Sequence, residues 1–214
     1  MRKPITIFGT ITSPYVNRVV LACRAKRLPF RVFMPEGGTK SPQLLAINPL
    51  GKIPTMQDGR MMLFESGVIL EYLEDKYPTP RFIPATVAGA ARVRLIAAIA
   101  ENYVVLMLVR LFVQAMKPTP DAAIVADTRA KLDHGLDALE QFVQPGPVAF
   151  KRGFTLADCV LVSAMIFLER VGGMMGGVDL LGRRHNLVRY WAAIRKNTHV
   201  KATLAAIGAA SREA

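Results

Sequence analysis

Cysteine is scarce: the 214 residues contain 2, Cys23 and Cys159, far apart and each inside an apolar stretch. That excludes the dense, evenly counted pattern of a secreted disulfide scaffold and points to a reducing compartment, the cytoplasm. Also missing is any run of about 18 apolar residues without charge. The most apolar segment, Val93 to Met116, is interrupted by Arg94, Glu101, Asn102, Arg110 and Gln114, so it reads as a buried helix and no membrane partner is expected. The start, MRKPITIFGT, is basic, but its short apolar run is broken by Pro4 and Thr6 and no small-residue cleavage site follows. No signal peptide is expected.

Acidic residues are the minority charge, 16 against 28 Lys and Arg, for a formal net charge of +12. Such a balance suits nucleic acid, an anionic membrane surface or small anionic substrates. The cations are dispersed singly or in pairs such as Lys151-Arg152 and Arg183-Arg184, without a sustained basic run or interleaved aromatics. That distribution argues against a nucleic-acid partner and reads mostly as a solvated surface.

What the chain does have is apolar material, 51% of its residues, enough for a sizeable core in one large or two small domains. Over residues 1–80, strand and helix signals alternate. Ile5 to Phe8 is short and β-rich. Ser13-Pro14 then opens a segment with Val16, Val19, Val20 and Cys23 at helical spacing, Pro14 fitting the first turn and Ser13 the cap before it. Phe30 to Met34 reads as a second strand, and a helical turn is expected near Leu44-Leu45. Ile53 to Met56 and Met61 to Phe64 flank an Asp58-Gly59 turn, a hairpin signal. Glu65-Ser66-Gly67 opens a helix with Ile69, Leu70 and Leu73 on one side, ending at Tyr77-Pro78.

Residues 81–87, at the end of a proline-punctuated stretch, read as a linker. Residues 88–214 show only helical patterns: Ala88 to about Met116, Asp121 to Phe142, Leu156 to about Val171, Leu187 to Lys196, and Val200 to Ala209. Pro118 and Pro120, Pro145 to Pro147, and Gly172 to Gly177 separate them. The expected fold class is therefore α+β in two domains, a first domain of order β-α-β-α-β-β-α, which resembles the thioredoxin-like arrangement, followed by an all-α domain.

Four motifs sharpen this reading: Thr12-Ser-Pro-Tyr-Val-Asn-Arg-Val-Val20, Asn48-Pro-Leu-Gly-Lys-Ile-Pro-Thr55, Glu65-Ser66 and Phe154-Thr-Leu-Ala-Asp158. Their order and spacing resemble the soluble glutathione transferase family along nearly the whole chain. The first looks like the active-site segment of the serine-type classes, such as the plant tau class. The resemblance implies a transferase that stabilises the thiolate of glutathione, its co-substrate, for attack on a hydrophobic electrophile, with no metal.

Ser13 is the catalytic candidate. Its hydroxyl would lie at the positive end of the first helix, so that donor and dipole both favour a thiolate. Lowering a thiol from about 8.5 by two units is worth roughly 2.7 kcal/mol and makes thiolate the main species at neutral pH. Thr12 and Tyr15 offer hydroxyls nearby, and the sequence leaves open which one acts. By resemblance, Pro54 sits where the family has a cis-proline, which would turn the N–H and C=O of Ile53 towards glutathione's cysteinyl unit. Lys52 and Lys40 would meet its glycine carboxylate, while Glu65 and Ser66, at a helix start, would hold the γ-glutamyl end. Thr155 to Asp158 has capping-box spacing and reads as structural. Tyr103, Met107, Arg110 and Phe112 are candidates for an electrophile pocket, for the core or for a dimer interface. A homodimer is expected from the family.

Two alternatives stand beside the transferase. One keeps glutathione but changes the reaction to isomerisation, dehalogenation or peroxide reduction, although the zeta proteins' Ser-Ser-Cys segment is replaced here by Ser13-Pro14-Tyr15. The other is a non-catalytic regulatory or binding protein on the same fold.

Overall fold

A computed structural model describes residues 3–146, 149 and 153–213. Pro147, at the end of one expected separator, and the Lys151-Arg152 pair lie outside the described residues. The chain divides into two compact units, Met1–Phe82 with Thr198–Ala214, and Ile83–Asn197.

The first unit runs β1 (Ile5–Phe8), α1 (Pro14–Ala25), β2 (Phe30–Phe33), a 3-10 turn (Gly38–Lys40), α2 (Pro42–Leu45), β3 (Thr55–Asp58), β4 (Met61–Phe64) and α3 (Ser66–Lys76). Its four strands lie in the order β2-β1-β3-β4, with β1 parallel to β2 and the other pairs antiparallel. This is the thioredoxin-like arrangement expected from the sequence. The helical spacing of α1 explains its packing, since Val16, Val19, Val20 and Cys23 are all fully buried. Ile69, Leu70 and Leu73 do the same for α3, which packs against α1.

A buried ion pair closes this unit. The Lys26 ammonium donates to Glu74 Oε2 at 2.7 Å and to the carbonyls of Tyr77 and Pro80 at 2.7 and 2.8 Å, and Glu74 accepts the Phe82 N–H. With its donors occupied, the buried charge is compensated. At the hairpin turn, Asp58 accepts from Tyr72, Lys76 and Tyr77. Burial pushes that carboxyl up, but the three hydrogen bonds outweigh it and hold the group below the usual carboxylate range.

The second unit contains α4 (Val87–Ile99), a π-helical segment (Ala100–Val105), α5 (Leu106–Ala115), α6 (Ala122–Phe142), α7 (Leu156–Met174) and α8 (His185–Ile194). Val87–Ala115 is one long helical stretch with a mean hydropathy of 1.9 in its most apolar window. It packs against α6 and α7, with Val93, Ile96, Val104 and Leu108 in the core. Thr86 and Asp121 cap α4 and α6 through their side chains.

Asp158 organises the start of α7. Its carboxylate, fully buried, accepts the Thr155 N–H and hydroxyl at 2.7 Å each, the Ala149 N–H at 2.7 Å and the Tyr190 hydroxyl at 3.1 Å. The capping role read from the sequence is therefore present, with two further donors that local spacing could not show.

Several boundaries differ from expectation. β3 begins at Thr55, so Ile53 and Pro54 precede the strand. The glycine-rich Gly172 to Gly177 does not simply separate helices, because α7 continues to Met174. Val171 and Gly172 are both buried there, and packing outweighs the poor helix propensity of Gly172-Gly173. The last helix, α9 (Thr198–Glu213), groups with the first unit, packing on α1, whereas the sequence reading places it with the second. Helical periodicity reports which face is apolar and not which surface covers it.

Candidate functional site

The candidate site lies at the C-terminal end of β1. After Phe8 the chain turns at Gly9, whose φ of +148° lies in a region that side-chain-bearing residues rarely adopt. A Cβ there would collide with Val16 and lie 3.3 Å from Ile53 Cβ. The absent side chain thus lets the loop before Ser13 close against the segment that carries Ile53.

Ser13 is the residue before α1, with Pro14 in the first turn, as its sequence context predicts. An N-cap serine ordinarily spends its hydroxyl on a helix N–H. Here it does not: no side-chain cap bond forms, and no hydrogen bond among the described residues uses the Ser13 hydroxyl. Its carbonyl alone serves the helix, accepting from Val16 and Asn17. Thr12, by contrast, pairs its hydroxyl with Thr10 Oγ1 at 3.1 Å. Tyr15 lies under the Arg18 guanidinium, 5.0 Å from its ring centroid. The first turn of α1 holds no acidic residue, so nothing local cancels the positive end of the helix.

The Ile53-Pro54 peptide is cis. Among the described residues, no hydrogen bond uses the Ile53 N–H or carbonyl, and Ile53 is half-buried. The residues on either side of the Ile53-Pro54 pair, Lys52 and Thr55, are held by Asn48, which the sequence motif contains but which the reading from sequence gives no role. Asn48 is fully buried; its amide donates to the Lys52 carbonyl at 2.9 Å and to Thr55 Oγ1 at 3.1 Å, and its oxygen accepts the Leu50 N–H. The available signal is an asparagine before proline in a loop that ends at Gly51. Such a side chain substitutes for backbone partners that an irregular loop lacks.

At the opposite flank, Gly51 (φ +58°) approaches the chain at Thr39, where a Cβ would lie 3.0 Å from the Thr39 carbonyl oxygen. The segments bearing Lys40 and Lys52 are therefore neighbours. Both lysines are exposed, and neither has an ion-pair partner among the described residues.

Glu65 and Ser66 start α3. Glu65 has φ +68° and ψ 108°, a strained conformation for a side-chain-bearing residue and one that costs on the order of 1–3 kcal/mol. Its carbonyl accepts the Ile69 N–H, while its exposed carboxylate bonds to no described residue. Ser66 is buried and accepts a hydrogen bond from Arg18 Nη1 at 3.3 Å, which leaves its own proton to donate. Arg18, fully buried in α1, was not singled out by the sequence; an arginine on an otherwise apolar helix face was the signal.

Both cysteines are buried. Cys23 is fully buried, and burial, with the charge of Asp58 adding to it, pushes its thiol up to about 12. Among the electrophile-pocket candidates, Tyr103 and Met107 line a common cavity of about 480 Å³ with Asn102, Asp127, Lys131 and His134. Phe112 instead packs on Phe167 and under Arg170. Arg110 is exposed.

The family described as the N-terminal domain of glutathione S-transferase matches residues 7–81. Maleylacetoacetate isomerase of Pseudomonas aeruginosa is 31% identical over 86% of this chain and 90% of its own. A glutathione S-transferase of Methylobacillus flagellatus, solved with glutathione bound, is 26% identical and superposes with a TM-score of 0.79 over 93% of this chain and 98% of its own. Glutathione S-transferase 3 of Zea mays is 30% identical over 95% of both chains. A relationship of that extent, on a matching fold and domain, places this chain in the glutathione S-transferase family.

Proposed function

We propose that this protein is a glutathione transferase in which Ser13 stabilises the thiolate of bound glutathione for attack on a hydrophobic electrophile. The observation that carries this reading is the Ser13 hydroxyl, placed at the positive end of α1 and used by no hydrogen bond among the described residues. A donor without an internal partner, beside a loop whose Ile53 backbone groups are equally unused, fits an extended thiol peptide better than a purely structural cap. Glutathione would lay its cysteinyl unit along Ile53. Its glycine carboxylate would meet Lys52 and Lys40, and its γ-glutamyl end would meet the Glu65 carboxylate, the Ser66 hydroxyl and the N-terminal N–H groups of α3. The thiolate would gain a hydrogen bond from Ser13 and the field of α1, which together lower its pKa.

The strained backbone at Glu65 supports the same reading, because such strain persists where a site requires it. The protein is proposed to work in the cytoplasm as a homodimer, in keeping with its family.

Relatedness to maleylacetoacetate isomerase favours a second reading, in which the thiolate adds to a double bond, lets it rotate and leaves unchanged. The two are separated by calorimetry with glutathione followed by a conjugation assay with an aromatic halide. Binding with turnover supports the transferase; binding with turnover only of a cis-alkene diacid supports the isomerase. Absence of glutathione binding contradicts both.

A further inference from the structure

A second polar site lies at the other end of the sheet. Strand register places Arg31 beside Thr6 and Thr6 beside Gln57, a row across β2, β1 and β3 whose side chains share one face. Lys3 and Pro4 at the entrance to β1, and Gly59 and Arg60 at the hairpin turn, complete the walls of a cavity of about 530 Å³. That volume lies in the range of small-ligand sites. Three cations line it, Lys3, Arg31 and Arg60, and among the described lining residues there is no carboxylate.

The positive charge is also uncompensated. No ion pair among the described residues involves Lys3, Arg31 or Arg60, whereas Lys26, Lys76 and Arg184 are all paired. The acid nearest in sequence, Asp58, follows Gln57 by one residue and therefore points to the other side of β3, where Tyr72, Lys76 and Tyr77 hold it. Arg31 is fixed rather than waving in solvent, because its Nε donates to Thr6 Oγ1 at 2.9 Å. Its remaining guanidinium N–H groups, the Thr6 proton and two further cations can then converge on one anion.

We propose that this cavity binds a compact oligophosphate anion, either free or as the phosphate chain of a nucleotide. Phosphate oxygens match the donor set, since arginine presents paired N–H groups and lysine adds a point charge. The site is separate from the Ser13 site: Thr6 and Gly9 are three residues apart along an extended strand, roughly 10 Å, and the cavity lies at the strand end opposite to Ser13. The inference does not depend on glutathione chemistry.

The test is calorimetry on the full chain at low salt with tripolyphosphate and ATP, each with and without saturating glutathione. Saturable one-to-one binding that survives glutathione is expected, and removal of one charged donor in Arg31→Gln or Arg60→Gln should weaken it at least about tenfold. Arg60 is exposed and its side chain makes no hydrogen bond among the described residues, so Arg60→Gln should leave melting temperature and glutathione affinity unchanged. Arg31→Gln also gives up its bond to the buried Thr6 and should lower the melting temperature slightly without changing glutathione affinity, and Lys201→Gln, outside the cavity, should bind as the parent does. Tighter binding of ATP than of tripolyphosphate identifies a nucleotide, and equal or weaker binding identifies the free anion; either upholds the site. Absence of saturable binding, competition by glutathione, or equal effects of Lys201→Gln and Arg31→Gln would overturn it.

Discussion

Asp158→Ala should be among the most destabilising single changes in the second unit. The substitution removes the acceptor of four hydrogen bonds and strands the Thr155 N–H, the Thr155 hydroxyl, the Ala149 N–H and the Tyr190 hydroxyl. Thr155, Ala149 and Tyr190 are themselves almost inaccessible to water, so solvent cannot replace the lost partner without opening the structure. Each orphaned buried donor costs about 1–3 kcal/mol. Removing the carboxylate also relieves its own desolvation, which burial makes large enough to hold its pKa above the ordinary value despite all four donors. The net loss should then resemble that for breaking a buried charged contact, about 3–5 kcal/mol. At about 2–4 °C per kcal/mol for a chain of this size, the melting temperature should fall by roughly 6–20 °C. Tyr190→Phe, which deletes one donor and leaves the others paired, should cost only about 1 kcal/mol. Thermal melts followed by circular dichroism measure both. A melting temperature for Asp158→Ala within about 2 °C of the parent, less than 1 kcal/mol on that scale, would refute this account of the helix start.

Four further outcomes are expected. Glu65→Gly should relieve backbone strain and raise stability by about 1 kcal/mol while weakening glutathione binding, which melting and calorimetry together report. Asn48→Ala should loosen the Ile53 loop, reducing stability by about 1–3 kcal/mol and raising the glutathione Kd; an unchanged Kd removes Asn48 from the positioning role. Asp58 has a folded pKa below its unfolded value, so its stabilisation is complete above about pH 4 and disappears as pH falls through the lower folded value. Asp58→Asn should accordingly flatten the acid limb of the stability profile. Cys23, with its thiol pushed up to about 12, should resist alkylation in the native protein at pH 8 and react once the chain is unfolded; rapid native labelling contradicts its burial.

Much of this architecture was legible in local pattern. The i, i+3, i+4, i+7 spacing of Val16, Val19, Val20 and Cys23 marked α1, and the Asp58-Gly59 turn marked the β3–β4 hairpin, because both signals are made by neighbours in sequence. The same holds for Ser13 at a helix start and for the family motifs around Pro54 and Glu65. What stayed hidden depends on contacts across the chain. Periodicity places an apolar face on α9 but does not say that α1 covers it. Gly172 and Gly173 look like a break until burial of Val171 and Gly172 keeps the helix intact. Asn48, Arg18 and the Arg31–Thr6–Gln57 row are ordinary polar residues in sequence, and only loop closure, helix packing and strand register give them partners or neighbours.

The most direct measurement is the thiol pKa of bound glutathione, read from thiolate ultraviolet absorbance across a pH titration, in the parent protein and in Ser13→Ala. The account predicts a parent value about two units below the free thiol's ~8.5, and a rise of about 1–2 units when the hydroxyl is removed, because one charge-assisted hydrogen bond is lost while the helix field remains. Glutathione affinity should change little. A pKa that is unmoved in Ser13→Ala but rises in Thr12→Ala or Tyr15→Phe would contradict the assignment of Ser13.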